Sequence, residues 1–314
     1  MNNLTIFTEF LLLDISSSRE LQVLQGLMFL MCYLGAVTGN LLTLIVIVIN
    51  PYLHSPMYFF IGNLSFIDLC CISVTFPKMI LNSLTGNKSI SLLSCAIQTF
   101  LFIFFISTEF FFLVVMAYDR YVAICYPLHY GITITPHLCT QAAGGLWTGG
   151  LVYSAIHTGI IFRLPFTQTN LINQYFCDGP QILRVSSSDV QFSELIALPI
   201  TACIILVCSV FMFKSYIDIF SLVLRMNSVE ARNKALSTCI PHLAVFILFV
   251  ISSLTALFPP TTNQASLSNL LMAMFYAMVP PFINPIIYSL RNREINNALH
   301  RMFQRCFELL RRIF

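Results

Sequence analysis

Charged residues are scarce in this chain. Asp, Glu, Lys and Arg make up 9% of its 314 residues, whereas a soluble domain carries about a quarter. Apolar residues reach 57%, so the chain has too little polar surface to stay in water, and its composition predicts a membrane protein. The net charge of +3 is small and the basic residues before Arg291 are scattered, so nucleic acid is not predicted as a partner.

Patterns typical of metal, redox and hydrolase sites are also missing. The 11 cysteines include no CxxC pair and no His/Cys cluster at metal-ligand spacing, so no zinc or redox centre is predicted. No serine with a histidine base and no pair of aspartates forms the set that an intramembrane hydrolase needs, so we expect neither an enzyme nor an obligate cofactor. Residues 1–20 lack the basic start and apolar stretch of a signal peptide, so no cleaved signal is expected.

Long stretches without charge are what the chain does have. A helix needs about 20 apolar residues to cross the hydrocarbon of a bilayer. The region between Lys234 and Arg291 carries no charge and is long enough for two crossings, with a proline-rich reversal at 259–263. The pattern predicts an all-α membrane protein, a seven-transmembrane helix bundle. The other five spans are expected near 25–49, 56–76, 94–118, 138–161 and 195–213.

The distribution of basic residues predicts the orientation of the chain. Eleven lysines and arginines fall on the side of the carboxyl terminus and five on the other, which together are the 16 in the chain. Because basic residues are enriched in cytoplasmic segments, we expect an extracellular amino terminus and a cytoplasmic carboxyl terminus. Two glycosylation sequons, at Asn3 and Asn87, then fall outside and are candidate glycan sites.

The last residues of the chain have the spacing of an amphipathic helix. Apolar side chains recur every three or four residues at Ile295, Leu299, Met302, Cys306 and Leu309. We therefore predict a short amphipathic eighth helix lying on membrane lipid at the inner leaflet. Its Cys306 is either palmitoylated or an unmodified cysteine. The chain thus divides into an extracellular leader (1–22), a receptor domain (23–291) and a cytoplasmic tail (292–314).

A diagnostic run, MAYDRYVAICYPLHY, covers Met116 to Tyr130 at the cytoplasmic end of the third span. It resembles the DRY-containing motif of the olfactory (odorant) receptors, which are rhodopsin-like G-protein-coupled receptors. The resemblance continues at Gly39-Asn40, at Leu53 to Tyr58 and at Lys234 to Cys239. It implies a plasma-membrane receptor that binds small, mostly neutral volatile molecules in the outer half of the bundle. The expected partner is a stimulatory, olfactory-type G protein that raises cyclic AMP.

The resemblance also assigns a switch at the cytoplasmic side. Asp119 beside Arg120 at a helix end is most simply an ion pair, with an interfacial anchor as the alternative reading. In the family this arginine exchanges its inactive-state partners for Tyr216 and the G protein. The predicted coupling residues are Asp119, Arg120, Tyr121, Tyr216, Asn284, Pro285 and Tyr288.

Two carboxylates, Asp68 and Glu109, lie deep within predicted spans. A buried lone carboxylate must be neutralised by a proton or a cation, and their matching depths predict a shared polar pocket. The resemblance implies a sodium ion near Asp68, with Asn40 and Asn284 close by. A hydrogen-bonded pair without an ion remains the alternative.

The resemblance further implies a disulfide between Cys95 and Cys177, which would hold the long outer loop over the helices. Many olfactory receptors carry two more cysteines in this loop, at the positions of Thr167 and Ser187. Their joint absence predicts the loss of one bridge and a looser loop.

The predicted ligand pocket is lined mainly by apolar side chains. Residues at three- and four-residue steps define the inner face of the third span, and its outer half is apolar. Phe102 stands where amine receptors carry an aspartate, and no charged residue is expected in the outer half of spans three, five, six or seven, so an amine ligand is disfavoured. This lining suits a small neutral molecule, although core packing is an equal alternative for each residue. The pocket candidates are Phe102, Ile103, Ile106 and Ser107 and, by the family's pattern, Ser253, Leu257, Met274 and Ala277.

Span six departs from the family's pattern. Many relatives have Phe-Tyr-Gly-Thr where this chain has Phe249-Val250-Ile251-Ser252, so a hydroxyl that helps to couple ligand and switch is missing. Pro241 also lies near the cytoplasmic start of this span, and both changes bear on coupling efficiency. A transporter or channel is the main alternative class, but it would need more charged groups at mid-membrane than Asp68 and Glu109.

Overall fold

The computed structural model describes residues 7–13, 18–163, 166, 169–257 and 267–313. Helices dominate this part of the chain, and seven of them are long. Two short 3-10 turns, Pro51–Leu53 and Pro127–His129, follow the first and third long helices. The helices are α1 (Arg19–Ile49), α2 (Pro56–Thr85), α3 (Leu92–Cys125), α4 (Tyr130–Thr133), α5 (Pro136–Ile161), α6 (Gly179–Val185), α7 (Ser188–Leu224), α8 (Val229–Leu257), α9 (Leu267–Arg291) and α10 (Arg293–Ile313).

Six of the seven long helices in the described residues are long and apolar enough to cross a membrane, namely α1, α2, α3, α7, α8 and α9. The seventh, α5, is rich in glycine and packs against α3 and α7. Its Gly150 lies so close to α3 that an added Cβ would overlap the Thr108 side chain. Glycine therefore lowers the apolar content of α5 and at the same time permits its close packing.

Helix α3 occupies the middle of the bundle, where it contacts α2, α5, α7 and α8. Large side chains that are fully buried, such as Phe60, Phe76 and Phe112, fill the space around it. Phe60 and Phe112 pack edge to face with ring centroids 6.2 Å apart. Because lipid gives no hydrophobic drive between helices, such close packing holds the bundle together.

A small sheet covers the outer side, which the sequence did not predict. Strand β1 (Glu9–Leu12) lies between β2 (Ser89–Ser91), to which it is antiparallel, and β3 (Leu171–Ile172), to which it is parallel. Phe10 and Leu12 of β1 are buried in a second apolar cluster beneath the sheet. The leader therefore joins the first and second outer loops, although a strand of four residues is too short to recognise from alternation alone.

Helix boundaries follow local rules. Gly86 ends α2 in the left-handed conformation, with φ at 77°, as is common after a helix C-terminus. The Arg19 guanidinium donates to the Ser83 carbonyl at 3.1 Å and also to that of Leu84. At the other end of the chain, α10 buries Ile295 and Ala298 and contacts α1 and α9. The side chains of Cys306 and Leu309, the sequon at Asn3 and the 259–263 turn lie outside the described residues.

Candidate functional site

The cytoplasmic end of α3 holds a buried ion pair. Arg120 Nε donates to Asp119 Oδ2 at 2.8 Å, and a second guanidinium nitrogen contacts the same oxygen. The Tyr130 hydroxyl, from the loop helix α4, donates to Asp119 Oδ1 at 2.7 Å. Burial and the nearby Asp119 charge raise the pKa of this tyrosine. Tyr121 lies apart from the pair, with its ring 5.6 Å from that of Tyr126.

The partner of Tyr216 is a histidine that the sequence did not single out. The Tyr216 hydroxyl is hydrogen-bonded to His242 Nδ1, and their rings stack with centroids 5.8 Å apart. This contact joins α7 to α8, whereas Arg120 is held by Asp119. In the sequence, His242 stands out only as a lone histidine in an apolar span, next to Pro241, and this does not reveal its partner. His242 and Pro241 line a cavity with Asp119, Arg120 and Tyr288 at the cytoplasmic end of the bundle.

The predicted polar pocket at mid-membrane brings three helices together. Asn284 Nδ2 of α9 donates to Asp68 Oδ2 of α2 at 3.0 Å and lies 3.4 Å from Glu109 Oε1 of α3. All three side chains are buried, and Asp68 Oδ1 and Asn284 Oδ1 have no partner among the described residues. Asn40 does not join them, because its Nδ2 donates to the Pro281 carbonyl at 2.7 Å. Two carboxylates that share one amide donor leave oxygen atoms free for a proton or a cation.

Pro285 and Tyr288 complete the inner half of α9. The Pro285 ring packs against Gly39 of α1, where an added Cβ would lie 3.0 Å from Pro285 Cγ. Glycine at position 39 therefore favours the close approach of α1 and α9, because a larger residue would press on the Pro285 ring. Tyr288 is fully buried, and its hydroxyl has no hydrogen-bond partner within the described part of the chain.

The expected disulfide between Cys95 and Cys177 is present, and it places the long outer loop on α3. The Cys177 amide donates to Gln98 Oε1 at 2.9 Å. The preceding loop residue, Phe176, packs against Phe102 at a centroid distance of 5.4 Å and against Tyr276 at 6.0 Å. The loop thus covers the first pocket candidate with an aromatic ring.

A buried carboxylate follows the disulfide. The Tyr276 hydroxyl of α9 donates to Asp178 Oδ2 at 2.8 Å. Burial raises the pKa of Asp178 to about 6, against the opposing effects of the Tyr276 hydrogen bond and the Arg184 charge. The loop is therefore attached to α3 by a covalent bond and to α9 by a titratable hydrogen bond. Of the two replaced cysteine positions, Ser187 precedes α7 and Thr167 lies outside the described residues.

The pocket candidates divide between the two apolar clusters. Phe102, Met274 and Ala277 are buried in the main core, with Ile106 packed against it. Ile103 packs instead against the outer cluster beneath the sheet. On its own helix, Ser107 Oγ donates to the Phe104 carbonyl at 3.1 Å. Phe102, Ile103, Ile106 and Ser107 thus lie on the outer half of α3, and Met274 and Ala277 lie on α9.

Two further predicted positions lie on α8. Ser253 is half-buried there, whereas the Leu257 side chain lies outside the described residues. Val250, which stands where many relatives have a tyrosine, is half-buried against the main core. Helix α8 continues without a break through Pro241.

One expectation was wrong: the outer half of the fifth span does hold a charged residue. The predicted span began at 195, but α7 begins at Ser188, so Glu194 lies inside the helix. Its Oε1 is 2.7 Å from Nδ1 of His157 on α5. His157 Nε2 lies 3.2 Å from Thr201 Oγ1, and the Tyr153 ring packs on the imidazole. A lone Glu beside an apolar run was visible in the sequence, but its pairing depends on how α5 and α7 pack.

Comparisons with known proteins agree with this architecture. A family model described as olfactory receptor matches residues 29–306. The chain is 47% identical to human Olfactory receptor 14I1, over 98% of this chain and 99% of that protein. It is 41% identical to human Olfactory receptor 1C1, over 97% of each.

The crystal structure of squid rhodopsin matches with a TM-score of 0.69 at 18% identity, over 93% of this chain and 87% of that one. This likeness confirms the predicted seven-helix fold of G-protein-coupled receptors. Since the family model and the relatives both cover nearly the whole chain, it belongs to the olfactory receptor family, a class of receptors and not of enzymes.

Proposed function

We infer that this receptor binds small, mostly neutral volatile odorants in the outer half of the helix bundle and activates a stimulatory, olfactory-type G protein that raises cyclic AMP. The observation that carries this proposal is the course of α3. One helix runs from the disulfide at Cys95, past Phe102 and Ile106, to the Asp119–Arg120 pair. Ligand contacts at one end are thereby connected rigidly to the coupling residues at the other.

The chemistry of the outer end supports a small ligand with a large apolar part. Phe102, Met274 and Ala277 offer aromatic and aliphatic surface, and the Phe176 ring closes the space from the loop side. Such a site selects by shape together with one or two hydrogen bonds. A ligand that displaces Phe176 or spreads α3 from α8 would favour one bundle conformation over another, as any effector must.

The chemistry of the inner end supports a switch. In the present conformation Arg120 is hydrogen-bonded to Asp119, and Tyr216 is hydrogen-bonded to His242. Activation would release both, so that Tyr216 and the G protein become the partners of Arg120. Tyr288, whose hydroxyl is unpaired among the described residues, lines the same cavity and is free to bond the rearranged network.

We also propose the orientation and an ion site. The excess of basic residues at the Arg120 side and the disulfide at the other support an extracellular amino terminus in the plasma membrane and a cytoplasmic tail. Asn87 is exposed at the outer side, where its sequon is open to glycosylation. The unpartnered oxygens of Asp68 and Asn284 support a sodium ion or a shared proton beside Glu109.

The proposal is tested by expressing the receptor with an extracellular epitope tag and measuring cyclic AMP against a broad odorant panel. Matched cells that lack the stimulatory α subunit are the control. We expect concentration-dependent responses to some members of the panel only when that subunit is present. A receptor that is abundant at the surface but never raises cyclic AMP, or an ion current without a G protein, would contradict the proposal.

A further inference from the structure

A polar cluster lies in the outer wall between α5 and α7, outside the predicted pocket residues. Glu194 and His157 are 6% and 7% exposed, and they are joined by the 2.7 Å contact between Oε1 and Nδ1. Thr201 Oγ1 is hydrogen-bonded to the other imidazole nitrogen, and the Tyr153 ring packs on the imidazole. Both imidazole nitrogens of His157 and the Thr201 hydroxyl therefore have partners within the cluster.

The second carboxylate oxygen of Glu194, Oε2, is buried and has no partner among the described residues. A buried acceptor without a donor is unfavourable, the more so on a carboxylate that already binds an imidazole. His157 Nδ1 is engaged by Oε1, so it does not serve both oxygens. The cluster consequently lacks one hydrogen-bond donor.

The cluster lies in the outer half of the bundle, next to the predicted pocket. Ser154, one turn inward from His157 on α5, donates to the Phe100 carbonyl of α3 at 2.5 Å. Phe100 is half a helical turn from Phe102. Since His157 lies about one turn further out than Ser154 and contacts both Glu194 and Thr201, the cluster lies about one helical turn outward of Phe100, at the outer end of the predicted pocket.

We propose that Glu194, oriented by His157, is the polar recognition group of the ligand pocket and accepts a hydrogen bond from the hydroxyl or ammonium group of a small apolar ligand. The apolar part of that ligand would lie against Phe102 and Ile106. This inference rests on the proposed function and narrows it from mostly neutral volatiles to hydrogen-bond donors. Ethers and hydrocarbons, which lack a donor, leave Oε2 unpaired.

The first experiment uses the wild-type receptor and the cyclic AMP readout. The probes are linear and cyclic alcohols, each paired with its methyl ether, and primary alkylamines, each paired with a hydrocarbon of the same length. We expect the donor in each active pair to be about 10- to 100-fold more potent, the range for a hydrogen bond to a charged group. The alcohol and amine arms separate a hydroxyl ligand from an ammonium ligand.

The second experiment compares Glu194→Gln with Asp189→Asn, which alters an exposed carboxylate on the same helix. In Glu194→Gln the amide oxygen still accepts from His157, but an NH₂ group replaces the free oxygen. We expect the donor preference to fall below about threefold, and methyl ethers to gain potency. Asp189→Asn keeps the wild-type preference. If Glu194→Gln fails to reach the surface, Glu194→Asp keeps the charge but shortens its reach, and donors should lose about tenfold in potency.

The outcomes separate the two proposals. Wild-type responses without a donor preference, or a preference that survives Glu194→Gln at normal surface expression, would overturn the assignment of Glu194 and leave the proposed function standing. A complete lack of responses, to this set and to the broad panel alike, would overturn both.

Discussion

Several buried or half-buried polar side chains of this receptor form hydrogen bonds across helix interfaces. Asn40 of α1 donates to the Pro281 carbonyl of α9, and the Trp147 indole of α5 donates to Asn63 of α2 at 3.2 Å. Inside a bilayer no water replaces such a bond, so each one specifies how two helices are placed. The functional residues belong to the same kind of contact, with Asn284 joining α2, α3 and α9.

At the residue scale, Arg120→Ala should separate signalling from folding. Asp119 keeps its hydrogen bond from Tyr130, so we expect surface expression close to wild type. The maximal cyclic AMP response should fall at least about tenfold, because the cation that would contact Tyr216 and the G protein is lost. Surface staining measures expression and the reporter assay measures the cyclic AMP response. Arg301→Ala, on the exposed side of α10, is the control. Intact signalling by Arg120→Ala would remove the assigned role.

The carboxylate pair at mid-membrane makes a second prediction at this scale. If Asp68 and Glu109 hold sodium, replacing choline by sodium at constant ionic strength should stabilise the purified receptor. An ion at about ten times its dissociation constant contributes about 1.4 kcal/mol, or a rise in Tm of roughly 3 °C for a chain of this size. Asp68→Asn should abolish the rise. A wild-type Tm that does not respond to sodium would favour the shared proton instead.

At the scale of elements, the helices are placed by small residues and the outer loops by added contacts. Gly39 allows α9 to approach α1, and Gly150 allows α5 to approach α3. On the outside, β1 brings the leader between β2 and β3, and the disulfide holds Cys177 on α3. The long outer loop is thus attached on several sides, even though Thr167 and Ser187 stand in place of a second bridge.

Two adjacent glycines of α5, Gly149 and Gly150, provide a matched test of helix packing. Gly150→Ala should destabilise the receptor by about 1–3 kcal/mol, because its Cβ overlaps the Thr108 side chain. Gly149 has no atom near the position of an added Cβ, and alanine favours the helix there, so Gly149→Ala should not lower stability. Combining Gly150→Ala with Thr108→Ala should restore most of the loss. Equal Tm values for the two single variants would contradict the close contact.

At the scale of the whole molecule, α3 connects the two functional ends. It contacts four other long helices and carries Phe102, Glu109 and Arg120 in turn along its length. The outer loop rests on its first turns, and α4 contacts its last ones. A change at either end is therefore transmitted through one rigid, central element and the side chains packed on it.

The pH dependence of global stability follows from Asp178. Its pKa of about 6 in the folded receptor lies above the ordinary value near 4, so the fold favours the protonated carboxyl. This contribution is complete below about pH 4 and is lost as the pH rises through 6. Between pH 7 and pH 5 it should add about 1 kcal/mol of stability.

Thermal unfolding of the purified receptor across this pH range measures the effect. The Asp178→Asn variant cannot titrate at this position, so the difference between its pH profile and that of the wild type isolates the contribution. Tyr276→Phe, which removes the hydroxyl that favours the charged carboxylate, should shift the transition to higher pH. Parallel profiles for wild type and Asp178→Asn would contradict the prediction.

Local chemistry in the sequence determined the class, the spans and the motif residues. Charge-free runs identify membrane helices because charge is so costly in lipid, and the run from Met116 to Tyr130 pointed to the family. The resemblance also implied the Cys95–Cys177 disulfide, which the structure confirms. The partners of Tyr216 and Glu194, and the burial of β1, were decided only by the tertiary structure. Each depends on the rotation and depth of one element against another, to which residues distant in the chain contribute, and no local pattern encodes that.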